Sequence, residues 1–297
     1  MRPFTYSMLS SWLTCKRKYF YEYCMNLVPV TFNIRFFSGT VCHRITLDYL
    51  QFKDYSSTSS KIDSWIEEEK EKALCYSSLS PEDEQALIFQ SSISHGMLLG
   101  FKATQGKFIK DVKIISNDKL IDKKENDRGV FRLIPKPDAI INIAGKTAIL
   151  EIKTAKTVKE EYLLSYRFQT DYYSYAIGIR NVYHLVLQKP QIYMGKYENE
   201  ISFMSRLENY YLTSEKINII NYRVHSRDLN QMKNTIDRSI SDISSRKKYD
   251  IGSYYQSFTA CYNFGRCSYE PLCKQGANPL ILKLYRKKFK TNEELEI

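Results

Sequence analysis

The chain has 297 residues, of which 43% are hydrophobic and 26% charged, and this composition excludes a disordered chain, a collagen and a small disulfide-stabilised protein. Its length fits one compact domain covering residues 1–297. The net charge of +11 points to a polyanionic partner, either nucleic acid or an acidic membrane surface. The 24 Tyr and 15 Phe favour nucleic acid slightly, because bases stack on aromatic rings.

The sequence contains no run of about 18 apolar residues and no hydrophobic signal segment near Met1. We therefore expect a soluble, cytoplasmic protein that does not associate with a membrane. In that reducing compartment the seven cysteines are not expected to form disulfides. Clustered cysteines in the cytoplasm more often bind a metal than form a disulfide, and three of the seven lie close together, at Cys261, Cys267 and Cys273.

The first third of the chain is predicted to be helical. Residues 5–25 form an aromatic amphipathic pattern, with Thr5 or Ser7 as the cap, and a second helix is expected after Gly39. Residues 54–60 are polar and predict a loop, and a helix follows over residues 61–76. The last helix of this region is expected to start at Ser80-Pro81-Glu82-Asp83, a favourable first turn, and to continue to about Gly100.

Short β-type runs then replace the helical spacing. The predicted order is four strands, a helix, another strand and a mainly helical region from residue 200 onward, and no internal repeat is visible. The strands are predicted at 108–115, 130–134, 138–143, 147–153 and 182–187, and the intervening helix at 160–178. This order predicts an α/β (mixed α+β) fold with a central mixed sheet flanked by helices.

A carboxylate pair is the most informative feature of the predicted sheet. If Ala144-Gly145 forms a two-residue hairpin turn, Asp138 lies opposite Glu151 on one sheet face, and Lys153 joins that face. Two such close carboxylates repel each other unless a cation lies between them, and a divalent metal with oxygen ligands is the usual solution. The pattern predicts a hydrolytic site for phosphodiesters. The alternative is a surface hairpin with solvated charges.

These residues resemble the signature of the PD-(D/E)XK nuclease superfamily, here Pro137-Asp138 and Glu151-Ile152-Lys153. Three more elements resemble its RecB-like branch, which includes the AddB nuclease domain and the CRISPR-associated RecB-like exonucleases. They are Gly39-Thr40-Val41-Cys42-His43, the Gln-x-x-x-Tyr motif at Gln169 and Tyr173, and an opening helix with Tyr6-Ser7-Met8-Leu9-Ser10, Cys15 and Tyr19-Phe20.

The resemblance implies a restriction-endonuclease-like core at residues 107–190, between helical regions at 1–106 and 191–297. It also implies a metal site in which Mg²⁺ or Mn²⁺ is bound by His43, Asp138, Glu151 and the backbone carbonyl of Ile152. Lys153 then helps to position the attacking water. Gln169 and Tyr173 are spaced i and i+4, so they share one helix face and support the lysine and the substrate.

A second set of candidate ligands comes from Cys15 together with Cys261, Cys267 and Cys273, which are spaced C-x5-C-x5-C. In the RecB-like iron-sulfur nucleases, which this arrangement resembles, one cysteine before the core and three after it hold a 4Fe-4S cluster and so join the terminal regions. This chain departs from the pattern, because five residues rather than two separate the second and third cysteines, and because Lys16 stands where proline is frequent. Zn²⁺ is the second candidate and ordinary core cysteines are the third.

The resulting hypothesis is a metal-dependent DNA nuclease, with exonuclease action on single strands or DNA ends in recombination, repair or CRISPR-type processing. The sequence contains no G-x-x-x-x-G-K-S/T phosphate loop, so a helicase or a recombination or CRISPR partner protein is expected to supply any motor. Two alternatives are a catalytically silent nuclease-fold protein that binds DNA ends or acts as an adaptor, and a zinc- or cluster-stabilised structural protein without DNA affinity.

Overall fold

A computed structural model describes residues 2–30, 34–74, 87, 89–117, 131–157, 160–212, 216–262 and 266–288. The strands are β1 (Arg2–Thr5), β2 (Leu27–Pro29), β3 (Val112–Asn117), β4 (Phe131–Ile134), β5 (Ala139–Ile143), β6 (Lys146–Ala155), β7 (Asn181–Gln188), β8 (Ile217–Arg223) and β9 (Tyr285–Lys287). The helices are α1 (Tyr6–Thr14), α2 (Lys16–Tyr19), α3 (Ile34–Phe52), α4 (Tyr55–Ser60), α5 (Ile62–Leu74), α6 (Gln90–Thr104), α7 (Gly106–Asp111), α8 (Glu160–Ile177), α9 (Glu200–Leu212), α10 (Ser226–Ser244), α11 (Glu270–Gln275) and α12 (Pro279–Leu282). A π-helical turn, Phe20–Cys24, follows α2 directly.

The central sheet has five strands in the order β3-β5-β6-β7-β8. The β6–β7 pair is parallel and the other three pairs are antiparallel. A parallel pair needs a long crossover, and α8 supplies it. The sheet is therefore mixed and flanked by helices, which confirms the predicted fold class.

The hairpin between β5 and β6 sets the register of the sheet. Ala144 and Gly145 both have positive φ, at 50° and 76°, which is the backbone geometry of a tight two-residue hairpin turn. The pairing runs from Ile143 opposite Lys146 to Ala139 opposite Leu150. This is the predicted register, and Asp138 continues it to a position next to Glu151.

Both faces of the sheet are covered by helices. Helices α3, α5 and α6 pack on one face, where Leu150 and Ile152 are fully buried. Helices α1, α8 and α10 pack on the other face, around Ile149 and Val182. Strand β6 is thus buried on both sides, and any polar side chain in its middle is removed from solvent.

Two predicted elements in the first half of the chain are wrong in detail. The helix predicted over residues 5–25 is interrupted at Cys15, whose extended backbone (φ −160°, ψ 114°) separates α1 from α2. The break lets the Arg17 amide donate to the Tyr255 carbonyl, a tertiary contact that no local sequence signal marks. The loop predicted at 54–60 is helix α4, which Asp54 caps by accepting a hydrogen bond from the Ser57 amide.

Two further corrections concern the sheet. The strand predicted at 108–115 starts as helix α7, in which Phe108 and Ile109 are buried, and β3 begins only at Val112. The region from residue 200 contributes β8 as well as helices, so the sheet extends past the predicted core at 107–190. As an edge strand, β8 is only half-buried, and its hydrophobic alternation is correspondingly weak.

Other predicted elements agree with the structure within a few residues. The helix expected after Gly39 begins earlier, at Ile34, and Thr5 is the cap of α1, accepting a hydrogen bond from the Met8 amide. The helix start at Ser80, the strand residue Val130 and the cysteine Cys75 lie outside the described residues. None of the helices in the described part of the chain is long and apolar enough to cross a membrane.

The two terminal regions are joined directly. Strand β2 pairs antiparallel with β9, and the buried Tyr269 hydroxyl donates to the Leu27 carbonyl at 2.8 Å. The ring of Tyr269 also stacks between those of Tyr21 and Tyr285, at centroid distances of 6.1 and 5.7 Å. These protein contacts join the regions by themselves, and the expectation that a four-cysteine cluster also joins them stays a prediction.

Helices α6 and α9 approach closely because α6 presents two glycines to its neighbour. A Cβ on Gly96 would lie 3.2 Å from the Leu207 Cβ, and one on Gly100 would overlap the Tyr211 side chain. Gly106, at the start of the next helix, has nothing within 4 Å of such a Cβ. The close approach depends on Gly100 in particular.

We expect Gly100→Ala to destabilise the protein by about 1–3 kcal/mol, because the added methyl group forces α6 and α9 apart. Gly106→Ala is the matched control and should be neutral or slightly stabilising, since alanine favours the helix. Chemical denaturation of both variants measures the free energies of unfolding. Equal stability of the two variants would contradict the packing described for Gly100.

Candidate active site

The two predicted carboxylates lie side by side at the centre of the sheet. Asp138 directly precedes β5, and its Oδ2 accepts a hydrogen bond of 2.7 Å from the Ile152 amide of β6. This bond holds the aspartate against the strand that carries Glu151. Glu151 itself is only 2% exposed, because β6 is covered on both faces.

His43 reaches this pair from α3. Its Nδ1 lies 3.1 Å from Asp138 Oδ1, and the two side chains are 30% and 17% exposed. The neighbouring Val41, Cys42 and Ile45 are buried in the core and anchor the helix. The open side of the site is therefore the side of His43 and Asp138, with Glu151 behind them.

A chain of hydrogen bonds continues from Glu151 to α8. Lys153 Nζ donates to Glu151 Oε1 at 2.6 Å and to Gln169 Oε1 at 2.8 Å, and Gln169 Nε2 donates to the Tyr173 hydroxyl at 2.8 Å. Gln169 and Tyr173 share one face of α8, as their spacing predicts. The hydrogen bonds to Glu151 and Gln169 orient the lysine from both sides.

The environment of Glu151 opposes its negative charge. Burial raises its pKa above the ordinary value and the Asp138 carboxylate raises it further, while Lys153 lowers it. Its second oxygen, Oε2, is buried without a hydrogen-bond partner. A buried carboxylate oxygen without a partner is unfavourable, and a cation is the natural ligand for it.

The donor atoms at the site suit a hard divalent cation. Carboxylate and carbonyl oxygens are the ligands that Mg²⁺ prefers, and an imidazole makes Mn²⁺ equally acceptable. Within the described residues, however, no three or more His, Cys, Asp or Glu side chains are already arranged around a common metal position. The Lys153 ammonium donates a hydrogen bond to one oxygen of Glu151, and His43 Nδ1 is within hydrogen-bond distance of one oxygen of Asp138.

Three aromatic side chains near Lys153 or Tyr173 have no predicted role in the site, although Tyr6 belongs to the predicted opening helix. His184 pairs with Glu151 across the parallel strands, is 1% exposed, and has a pKa lowered to about 4 by burial, Lys153 and Arg167. The Tyr166 ring lies 5.6 Å from Lys153 Nζ, and the Tyr6 ring lies 6.4 Å from that of Tyr173. Strand alternation would place His184 on the face of Glu151 only if the register of the β6–β7 pair were known, and the sequence does not give that register.

The four candidate cluster cysteines come from both terminal regions to one side of the fold. The Ser257 amide lies 3.5 Å from the Cys15 sulfur, and the Cys267 amide donates to the Cys261 carbonyl. Burial raises the pKa of Cys273 to about 11, with further contributions from Cys15, Cys267 and Cys261. The thiols thus lie within electrostatic range of one another, but they are not arranged as a metal-holding group in the part of the chain described.

Comparisons with known proteins identify the family. A solved structure titled "Crystal structure of SSO0001" is 14% identical, with 80% of this chain and 92% of that chain covered and a TM-score of 0.30. No curated protein matches the chain. The family model of the PD-(D/E)XK nuclease superfamily matches residues 3–274, a span that contains Asp138, Glu151 and Lys153. The chain therefore belongs to the PD-(D/E)XK nuclease superfamily.

Proposed function

We propose that the protein is a metal-dependent deoxyribonuclease that hydrolyses phosphodiester bonds, with exonuclease action on single strands or DNA ends. The observation that carries this proposal is the hydrogen-bonded chain from Glu151 through Lys153 to Gln169, placed beside the Asp138–His43 pair. Family membership supports a nuclease. A site that had lost catalysis would be free to lose these residues, so their joint presence favours an enzyme over a silent DNA-binding adaptor.

Mg²⁺ or Mn²⁺ would be held by His43, Asp138, Glu151 and the backbone carbonyl of Ile152. The partnerless Glu151 Oε2 and the oxygen-rich donor set fit such an ion. When bound, the ion supplies Lewis-acid stabilisation of negative charge and favours ionisation of a water. The raised pKa of Glu151 also fits a group whose charge is completed by a cation rather than by solvent.

The side chains of the site would orient the reaction. Lys153 has three ammonium protons, and Glu151 and Gln169 accept two of them. The third is left to hold a water or a phosphate oxygen in line for attack. Tyr173 keeps the Gln169 amide turned so that its carbonyl oxygen faces the lysine, which makes Gln169 a positioning residue.

DNA is the substrate that a nuclease fold implies, and single strands or ends are our proposal for its form. The net charge of +11 would draw a polyanion to the protein and raise the rate of association at low salt. Since residues 1–297 contain no phosphate loop, the proposed enzyme would use existing DNA ends or single strands supplied by a helicase-type partner.

We expect Glu151→Gln and Asp138→Asn each to reduce DNA cleavage roughly 10³-fold while leaving single-strand binding intact, because each removes charge from the site without changing its shape. Cleavage of an end-labelled oligonucleotide in Mn²⁺, followed on a denaturing gel, measures the effect. Asp237→Asn, on α10 and paired with Lys233, is the control and should cleave normally. Unchanged cleavage by both site variants would contradict the assignment.

We expect Gln169→Ala to lower kcat about 10- to 100-fold with little change in KM, because Lys153 loses one of its two orienting partners. Tyr173→Phe should have a smaller effect, since it acts through Gln169. Steady-state kinetics on a single-stranded oligonucleotide separates kcat from KM. The exposed Gln191→Ala serves as the control. A rise in KM at constant kcat would instead assign Gln169 to substrate binding.

We further propose that the chain belongs to the RecB-like iron-sulfur branch, with a 4Fe-4S cluster held by Cys15, Cys261, Cys267 and Cys273. Their order along the chain and the mutual influence of their thiols support this proposal. Cluster formation would require the four side chains to converge further than they do in the structure.

Anaerobically purified protein should be brown and contain about four iron and four sulfide per chain. Metal and sulfide analysis of the wild type and of Cys267→Ser measures the occupancy, and Cys42→Ser is the control because Cys42 is buried in the opposite core. A colourless protein with stoichiometric zinc would remove the cluster but leave the hydrolytic site standing.

A further inference from the structure

A cavity of about 780 Å³ opens beside the candidate active site. Tyr6 and Tyr173 line it, and their rings lie 6.4 Å apart. The Tyr173 hydroxyl accepts the hydrogen bond from Gln169, which in turn holds Lys153. Lys136, two residues before Asp138, also lines the cavity. The cavity therefore adjoins the hydrogen-bond network of the candidate site through Tyr173, whereas Asp138, Glu151 and Lys153 do not line it.

Basic side chains surround this cavity. Arg2, Lys136, Lys248 and Lys288 are all exposed and all line it, although they come from four separate parts of the chain. Among the described residues that line the cavity, Glu22 is the only acidic one, and its carboxylate accepts a hydrogen bond from Ser11. The charge of the lining suits a polyanion and opposes an acidic peptide.

Two exposed tyrosines, Tyr249 and Tyr255, contact cations that line the cavity. Lys248 Nζ lies 5.2 Å from the ring of Tyr249, and the Arg246 guanidinium lies 5.6 Å from the ring of Tyr255. Lys248 and Arg246 both line the cavity, so each tyrosine lies at its rim beside a cation. The two tyrosines are 70% and 59% exposed, so each ring remains accessible to a ligand beside its cations, which for Tyr255 include Lys16 at 5.3 Å.

We propose that this cavity, with Tyr249 and Tyr255 at its rim, binds the single-stranded DNA segment that adjoins the scissile phosphate. This inference rests on the proposed nuclease function and adds a binding surface to it. Lys and Arg side chains that alternate with open aromatic faces are the arrangement that binds single strands, because unpaired bases stack while phosphates contact the cations. Paired bases in a duplex are already stacked and do not present their faces to such rings.

The test compares the binding of a fluorescent 20-nucleotide oligo-dT with that of a duplex of equal length, in EDTA so that no cleavage occurs. Tyr249→Ala and Lys248→Glu should each weaken single-strand binding about tenfold, and the double variant more. Lys248→Glu should also reduce the slope of log affinity against log salt, by about 0.7 for each phosphate that the protein no longer neutralises. Duplex binding should be weaker in the wild type and change little in the variants.

Arg227→Glu is the matched charge control. Arg227 lies near the beginning of α10, whereas Arg246 follows its end, and a helix of 19 residues separates these positions by about 27 Å. Single-strand affinity of this variant should stay within about twofold of the wild type. Thermal unfolding of all variants checks the fold, which should be retained because Lys248 and Tyr249 are exposed.

Wild-type affinity of the Lys248→Glu and Tyr249→Ala double variant for oligo-dT would overturn the inference, as would a wild-type preference for duplex. Loss of self-association in the double variant, with DNA binding unchanged, would also overturn it and assign the rings to a protein interface. If the wild type binds oligo-dT through these residues but cleaves no DNA in Mn²⁺, the nuclease proposal fails and the strand-binding surface stands.

Discussion

The burial of the Glu151 carboxylate is the constraint on which the rest of the site depends. An ionised carboxylate removed from water costs several kcal/mol unless it is paired, and Glu151 is 2% exposed. Lys153 pairs with one of its oxygens and the other has no partner. Position 151 lies in a strand covered on both faces, which keeps bulk solvent away from its side chain. The surrounding groups must therefore supply positive charge, and a catalytic site is the kind of place where such an arrangement is retained.

The same constraint explains why the site draws on three distant parts of the chain. The β5–β6 hairpin brings Asp138 beside Glu151, and the Ile152 amide fixes the aspartate there through a single hydrogen bond. Helix α3 adds His43 from one face of the sheet, and α8 adds Gln169 from the other. The parallel β6–β7 pair requires a crossover, and the helix that provides it is the one that orients the lysine. The helix that the sheet topology requires is thus also the helix that positions Lys153.

Local signals in the sequence were sufficient for the centre of this arrangement. The turn residues Ala144-Gly145 and the side-chain alternation of strands predict that Asp138, Glu151 and Lys153 share one face of the sheet. The i, i+4 spacing predicts that Gln169 and Tyr173 share one face of a helix. Features set by tertiary contact were not predictable. The helix break at Cys15 has no glycine or proline to mark it, and β8 is an edge strand with weak alternation. His184 and Tyr6 approach the lysine only through strand pairing and helix packing.

The joining of the terminal regions has a consequence for the strand-binding surface. Arg2 and Tyr6 come from the N-terminal region, whereas Lys248, Tyr255 and Lys288 come from the C-terminal region, and all but Tyr255 line one cavity. The net charge of the chain does not reveal this surface, because it arises only when the two regions meet. The β2–β9 pair and the stacked rings around Tyr269 hold them together. On the proposed function, stability of the terminal contacts and affinity for a DNA strand are coupled. Separation of the two regions would divide the cations between them and leave Asp138 and Glu151 in place without a path to lead the strand to them.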